Sequence, residues 1–214
     1  MKKDLKILIC VPCMDQVPAL FCQSLSMLTK TDNCAIAFEM SSLIYTARNH
    51  MAKAAVDMEA DLTLWLDSDM VFSPDLLIRL LETMRKTGAE IVTGVYYRRR
   101  APYTPVLFDK LEINAEDESA DYSEFTDIPN DVFEVGGCGF GACLVDTGVY
   151  LDVQSKFGNC FAPIGNNGED AAFCWRARQC GNKIVADPRI KLGHVGQAVI
   201  GAETYEAFRA SGGK

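Results

Sequence analysis

The 214 residues are 49% hydrophobic and 23% charged, a balance that supports one packed domain and excludes a disordered chain. The formal net charge of −8 excludes attraction to nucleic acid or anionic membrane through the overall field, leaving only local basic patches such as Arg98-Arg99-Arg100. No apolar run approaches the ~20 residues of a membrane-spanning helix. The nine cysteines are odd in number and several lie in apolar runs, so they read as reduced thiols of a cytoplasmic protein. Cys10-x-x-Cys13 stands at a strand end without the second pair that a zinc site needs.

In chain order, "KILICV" is a β-rich run stopped by Pro12, and "ALFCQSLSMLTK" repeats apolar residues at helical spacing. "CAIAFE" reads as a second strand and "YTARNHMAKAAVDM" as a helix, with His50 on its face. "LTLWL" is a buried strand. Ser73-Pro74-Asp75 starts a helix with proline at its first position, "DLLIRLLETMRKTG" fills it, and Gly88 stops it. "EIVTGV" is the next strand. Strands alternating with helices imply βαβ units and a largely parallel sheet. "TPVLF" is strand-like, and the acidic stretch 109–131 reads as a solvated surface hairpin or loop, with a mobile lid as the alternative. "VGGCGFGACLV" leads into another strand, "TGVYLDVQSKF" into a short helix, and a helix from about Gly168 to Cys180 is capped by Gly181. "KIVAD" is a strand and "AETYEAFRAS" a closing helix. No repeat or linker divides the chain, so residues 1–214 form a single domain.

Asp67 and Asp69 follow "LTLWL" directly. Ligands of open α/β sheets bind beyond the carboxyl ends of strands. Two carboxylates one residue apart there can share a cation, or divide a cation and a ligand hydroxyl between them; Mg2+ and Mn2+ favour such oxygens and bridge to phosphates. Capping of the next helix accounts for Ser73 but not for the two acids. Glu169 and Asp170 open a helix, where complementing the helix dipole is a sufficient reason for them. Arg48 near a helix start opposes the dipole, which favours a functional role. The glycines of "VGGCGFG", Gly137 among them, permit close approach of a ligand or serve a tight turn or bulge. His194, between Gly193 and Val195, is by default a loop histidine held by a backbone hydrogen bond.

"LDSDMV" fits the Asp-x-Asp pattern of haloacid-dehalogenase-like phosphatases, although that motif usually lies on the first strand. More of the chain resembles the GT-A glycosyltransferases, particularly family-2-type enzymes and their small phage and bacterial members. "ILICVPCMD" looks like their first strand and donor loop, "YTARNHMAKAA" is similar to their Ala-Arg-Asn helix, and "LWLDSDMVFSPDLL" to their Asp-x-Asp motif. "GEDAAFCWRARQCGNKI" resembles their Glu-Asp helix, and "LGHVG" looks like their late histidine.

The resemblance implies a GT-A α/β fold with a mixed, mostly parallel sheet flanked by helices. It implies a metal-dependent hexosyl- or pentosyltransferase that moves a sugar from a UDP- or GDP-linked donor to an acceptor hydroxyl, with inversion favoured. Asp69 and His194 would hold Mn2+ or Mg2+, and Asp67 would contact the metal or the ribose. Val11, Pro12, Arg48, Ser68 and Gly137 would lie at the donor. Asp170 would be the general base, with Glu169 holding the acceptor or bracing the loop. Modified DNA is a less favoured acceptor. The alternatives are the phosphatase and a non-catalytic nucleotide-sugar-binding module.

Overall fold

The structure is a computed structural model and describes residues 4–114, 116–196 and 210. The elements run β1 (Ile7–Cys13), α1 (Ala19–Met27), β2 (Cys34–Met40), α2 (Ile44–Asp57), β3 (Leu62–Leu66), β4 (Met70–Val71), α3 (Leu76–Thr87) and β5 (Ile91–Val95). There follow β6 (Leu107–Ile113), β7 (Ala120–Glu124), β8 (Phe133–Glu134), β9 (Gly137–Cys138), β10 (Ala142–Asp146), α4 (Gly148–Phe157), α5 (Glu169–Gln179), β11 (Ile184–Lys191) and β12 (Gly193–His194).

Seven strands form the central sheet in the order β2-β1-β3-β10-β5-β11-β8. β2, β1 and β3 are mutually parallel, as are β5 and β11, whereas β10 runs antiparallel to both β3 and β5 and β8 antiparallel to β11. The sheet is therefore mixed, with five strands pointing one way. The reversal at β10 has a topological cause. β5 is followed not by a crossover helix but by the β6–β7 hairpin, and a chain returning without a crossover enters antiparallel.

Helices cover both faces. Ile7, Ile9 and Val11 of β1 pack with Phe21 of α1 and Leu76, Leu77 and Leu80 of α3 on one side. Leu8 and Cys10 pack with Met51, Ala52 and Ala55 of α2 and with residues of α4 and α5 on the other. This two-sided covering explains why every residue of β3 and β5 is buried and why these strands read as continuous apolar runs. Under α5 the core is aromatic: Phe161 stacks on Phe173 at 4.5 Å, and Phe140 meets Trp65, Phe161 and Phe173 edge-on. Trp65 Nε1 donates to the Tyr150 hydroxyl at 2.7 Å, so both polar atoms are partnered inside it.

Most local signals operate as expected. Gly88 ends α3 at φ 69°, with Arg85 and Lys86 complementing the dipole in the last turn. The acidic stretch contains most of β6 and all of β7, a hairpin with an exposed outer face whose Leu111 and Ile113 are buried, paired through β9 to the body. Three boundaries differ. α3 begins at Leu76 with Asp75 as N-cap, so Pro74 precedes the helix, and its carbonyl accepts from Thr29 N at 2.8 Å. β6 begins at Leu107 rather than within "TPV", because Pro105 pairs only as an isolated bridge to Tyr97. The closing helix expected over 202–211 lies outside the described residues except at position 210. No helix among the described residues is long and apolar enough to cross a membrane.

The glycines before β10 have a packing reason. A Cβ at Gly139 would sit 2.0 Å from the Tyr96 hydroxyl and 2.8 Å from Val106 Cγ1. Tyr96 is buried and its hydroxyl accepts from Gly141 N at 3.2 Å. Gly139→Ala is therefore expected to lower stability by about 1–3 kcal/mol, the usual scale of overpacking, in urea unfolding. Tyr96→Phe in the same chain should recover part of that loss by removing the clashing oxygen.

Candidate active site

Asp67 begins the turn that leaves β3. Its N–H donates to Gly141 O at 3.1 Å, and its carbonyl accepts from Met70 N at 3.1 Å. The chain then enters β4, which pairs antiparallel with β12, setting His194 opposite Met70. Val195 N donates to Asp69 O at 2.8 Å, and Gly193 lets the two strands close, since a Cβ there would lie 3.2 Å from Val71 Cβ. This small second sheet brings His194 Nε2 to 3.4 Å from Asp69 Oδ2.

The imidazole is oriented from behind. Nδ1 lies 2.9 Å from the Tyr97 carbonyl; a carbonyl only accepts, so Nδ1 carries a proton and Nε2 is the atom presented to Asp69. The Tyr96 ring packs edge-on against it at 5.4 Å. The Asp69 contact raises the His194 pKa above its ordinary value. Burial pushes the Asp69 carboxyl upward, but His194 and Arg99 outweigh it and hold the group below the ordinary value. Both shifts express one fact: this carboxylate is built to face positive charge.

Two ligand atoms each about 2 Å from one ion lie about 3 Å apart, so Asp69 Oδ2 and His194 Nε2 fit the first coordination shell of one divalent cation. Asp67 is placed differently. Its Oδ1 accepts from Arg48 Nη2 at 2.8 Å, and among the described residues no three acidic, histidine or cysteine side chains gather as a metal-binding group. Cys10 and Cys13 form no such group either, and all nine cysteines are free.

Arg48 is not a surface residue. Its side chain is 3% exposed and bridges Asp67 to Glu169, the latter through Nε to Oε1 at 3.2 Å. The guanidinium lies 5.1 Å from the Phe140 ring centre and 5.5 Å from that of Trp65. Burial works against its charge, but Asp67, Glu169 and Asp170 more than compensate, so its pKa ends above the ordinary value. One donor, Nη1, is buried without a hydrogen-bond partner among the described residues.

Asp170 sits beside this bridge in the first turn of α5, half-buried. Ala171 N donates to its Oδ1 at 2.7 Å. Burial first and the Glu169 charge second push its carboxyl from the ordinary 3.8 up to about 6, against the pull of the Ala171 hydrogen bond and Arg48.

The remaining expected residues divide. Val11 and Pro12 end β1 and are buried, and Ser68 is half-buried between the two aspartates. Gly137 is enclosed by protein: a Cβ there would meet Leu111 Cδ2 at 2.7 Å and Cys174 Cβ at 3.2 Å. The close approach that calls for glycine at this position is thus to the core beneath α5. His50 is exposed on α2 and pairs with Glu39 at 3.0 Å.

Sequence reasoning missed Tyr96, which backs His194, and the specific placement of Arg99, whose Nη1 lies 2.7 Å from Asp69 Oδ2. A run of three arginines signals a basic patch, but nothing in it indicates which one reaches the aspartate. A cavity of about 960 Å³ opens here, lined by Asp69, His194, Tyr96, Arg99 and Tyr122 among others.

Residues 36–144 match the family described as Glycosyl transferase family 2, a span of half the chain that takes in Arg48, Asp67, Asp69 and Arg99. The chain belongs to glycosyl transferase family 2. No curated protein matches it significantly. Among solved structures, A197 from STIV is similar at a TM-score of 0.62 and 20% identity, over 89% of this chain and 86% of that one. GalNAc-T7, crystallised with UDP, GalNAc and Mn2+, is similar at a TM-score of 0.62 and 9% identity, over 93% of this chain. The aligned region spans 45% of the GalNAc-T7 chain. At these identities the likeness is one of fold, and that fold is GT-A. The glycosyltransferase is thus a family member whose two acidic motifs, distant in sequence, are joined by one buried arginine.

Arg48→Met should leave Asp67 and Glu169 facing each other without their counter-charge. Removing one partner of a buried ion pair costs about 3–5 kcal/mol. Asp67 is 30% exposed and Glu169 16%, so water screens part of this and a loss nearer about 2 kcal/mol is expected in chemical denaturation at pH 7.

Proposed function

We propose that this glycosyltransferase moves a sugar from a nucleotide-diphosphate donor, UDP- or GDP-linked, to an acceptor hydroxyl with inversion, using a divalent cation held by Asp69 and His194. The observation that carries this reading is the convergence of the Asp69 carboxylate and the His194 imidazole beyond the end of β3. An imidazole ligand suits Mn2+ better than Mg2+, which prefers oxygen, so Mn2+ is the favoured ion. The GalNAc-T7 structure with UDP and Mn2+ supports the same donor chemistry. When bound, the cation would supply Lewis-acid neutralisation of the leaving diphosphate.

The chain's own residues do the rest. Val11, Pro12 and Ser68 border the donor at the ends of β1 and β3. Arg48 holds Asp67 toward the nucleotide and Glu169 toward the acceptor, which makes both it and Glu169 positioning residues. Asp170 is the general base. A carboxyl raised to about 6 is still ionised at neutral pH yet takes a proton more readily than an ordinary carboxylate. It removes the acceptor hydroxyl proton as that oxygen bonds to the anomeric carbon. The carbon–oxygen bond to the diphosphate breaks, and its electron pair leaves with the phosphate.

The phosphatase alternative gains no support, because its nucleophile would be Asp67, which is engaged by Arg48. A DNA acceptor is disfavoured by the net charge of −8 and by the pairing of two arginines of the basic run, Arg98 with Glu124 and Arg99 with Asp69. Nine free thiols fit a cytoplasmic setting.

Asp69→Asn should abolish Mn2+-dependent donor binding in calorimetric titration while leaving the melting temperature nearly unchanged; unaltered affinity would remove Asp69 from the cation site.

Asp170→Asn should spare donor affinity and lower transfer by roughly 10²–10⁴-fold. The wild-type rate should rise with pH through about 6 and then level, because only the ionised base acts. Stability provides an independent check. The folded pKa lies above the ordinary 3.8, so the native state holds this proton more tightly than the unfolded chain. The stabilisation from that proton is complete below pH 3.8 and lost as pH rises through about 6. Asp170→Asn should therefore raise the melting temperature relative to wild type at pH 8 more than at pH 4.

A further inference from the structure

The loop between β5 and β6 carries three successive arginines along the wall of the cavity beside Asp69. It is closed by Arg98 N donating to Thr104 O at 3.0 Å and Tyr103 N donating to Arg100 O at 2.9 Å. Arg98 is tied to Glu124, which also accepts from Thr104 Oγ1 at 2.8 Å, so that guanidinium is fixed to the β6–β7 hairpin. Arg99 is held differently. Its Nη1 meets Asp69 Oδ2 at 2.7 Å, and Oδ2 is the same oxygen that faces His194 Nε2 at 3.4 Å. A carboxylate oxygen that receives a divalent cation cannot keep a guanidinium at that distance without strong like-charge repulsion. Cation and Arg99 therefore compete for Oδ2.

Among the described residues, the Arg99 guanidinium is held by one ion pair. Its side chain is 52% exposed. Its aliphatic stem lies along Gly196, where a Cβ would stand 3.6–3.9 Å from Arg99 Cβ, Cγ and Cδ. A head released from Asp69 remains over the cavity, beside the position that a cation would take. The planar fork of a guanidinium matches the oxygens of a phosphate better than any other side chain.

We propose that Arg99 is an exchangeable diphosphate-binding residue: it neutralises Asp69 while no cation is present, and turns to the donor's diphosphate once a divalent cation takes that carboxylate. This rests on the reading that Asp69 and His194 hold the cation. The exchange has a signature that a purely structural arginine lacks. Loss of Arg99 must strengthen binding of the cation alone and weaken binding of the diphosphate, two changes of opposite sign from one substitution.

The test is titration of the full chain with Mn2+ alone, followed by UDP and inorganic pyrophosphate at saturating Mn2+. The proteins are wild type, Arg99→Gln, Arg99→Lys and Asp69→Asn, with melting curves to check folding. In Arg99→Gln, Mn2+ alone should bind about 2–5-fold more tightly, the scale of one exposed ion pair removed from the competing state. UDP and pyrophosphate should both bind about 10–100-fold more weakly, the scale of a lost charge-assisted hydrogen bond. Arg99→Lys keeps a point charge without the fork, so its Mn2+ affinity should stay near wild type and its pyrophosphate affinity fall between the two. Unchanged or weaker Mn2+ binding in Arg99→Gln, or unchanged pyrophosphate binding, overturns the proposal while leaving the cation site intact, provided that Asp69→Asn abolishes Mn2+ binding. Mn2+ binding that survives Asp69→Asn overturns the cation site itself and the proposal with it.

Discussion

The candidate active site of this glycosyltransferase depends on one buried arginine. Arg48 enters from α2, lies against the faces of Trp65 and Phe140, and holds Asp67 of the β3 end together with Glu169 of the α5 start. Without it, the first turns beyond β3 and of α5 would present Asp67, Glu169 and Asp170 to one another as uncompensated negative charge. With it, the two halves of the fold are joined at the point where chemistry is expected. Burial makes the bridge directional as well as attractive, because Nε and Nη2 of the desolvated guanidinium are committed to two carboxylates fixed on different elements.

The sheet topology supplies the second constraint. β10 inserts antiparallel between β3 and β5, so the strand ends carrying Asp67 and Tyr96 are separated by the width of one intervening strand. The gap is spanned at the top by the close packing of Gly139 and Gly141 against Tyr96. Tyr96 in turn backs His194. A glycine pair in the connection between β9 and β10 thus sets the depth at which a tyrosine lies, and the tyrosine sets where the imidazole stands. Gly137, two residues earlier, serves a different neighbour, the Leu111 and Cys174 side chains under α5.

Charge is distributed unevenly across the candidate site. On the Asp69 side, His194 and Arg99 surround the carboxylate with positive groups and hold it ionised. On the Asp170 side, partial burial and a neighbouring glutamate push the carboxyl toward holding its proton. Two aspartates of the same small region are thereby driven in opposite directions, one toward keeping its negative charge and one toward holding a proton.

Much of this was legible in the chain itself. The alternation of apolar runs located β1, β2, β3 and β5 and all five described helices, because β-rich apolar runs and helical spacing leave marks within a single segment. Gly88 announced the end of α3, since a left-handed residue there favours glycine. The acids after "LTLWL", the Glu-Asp pair and the late histidine stood out as candidates because polar groups at the ends of apolar strands need a reason. The residues by themselves did not contain their pairing; only the family resemblance set Asp69 with His194. Whether Asp67 or Asp69 meets the histidine depends on the two-residue β4–β12 ladder, too short to be read as strands. Whether Arg48 is a surface cation or a buried bridge depends on Trp65 and Phe140 closing over it from other elements. The choice of Arg99 from three adjacent arginines depends on the course of one loop. Residue types and their local periodicity are properties of a segment, and sequence determines them alone; the partner of each charge is a property of distances between segments, which only the folded chain decides.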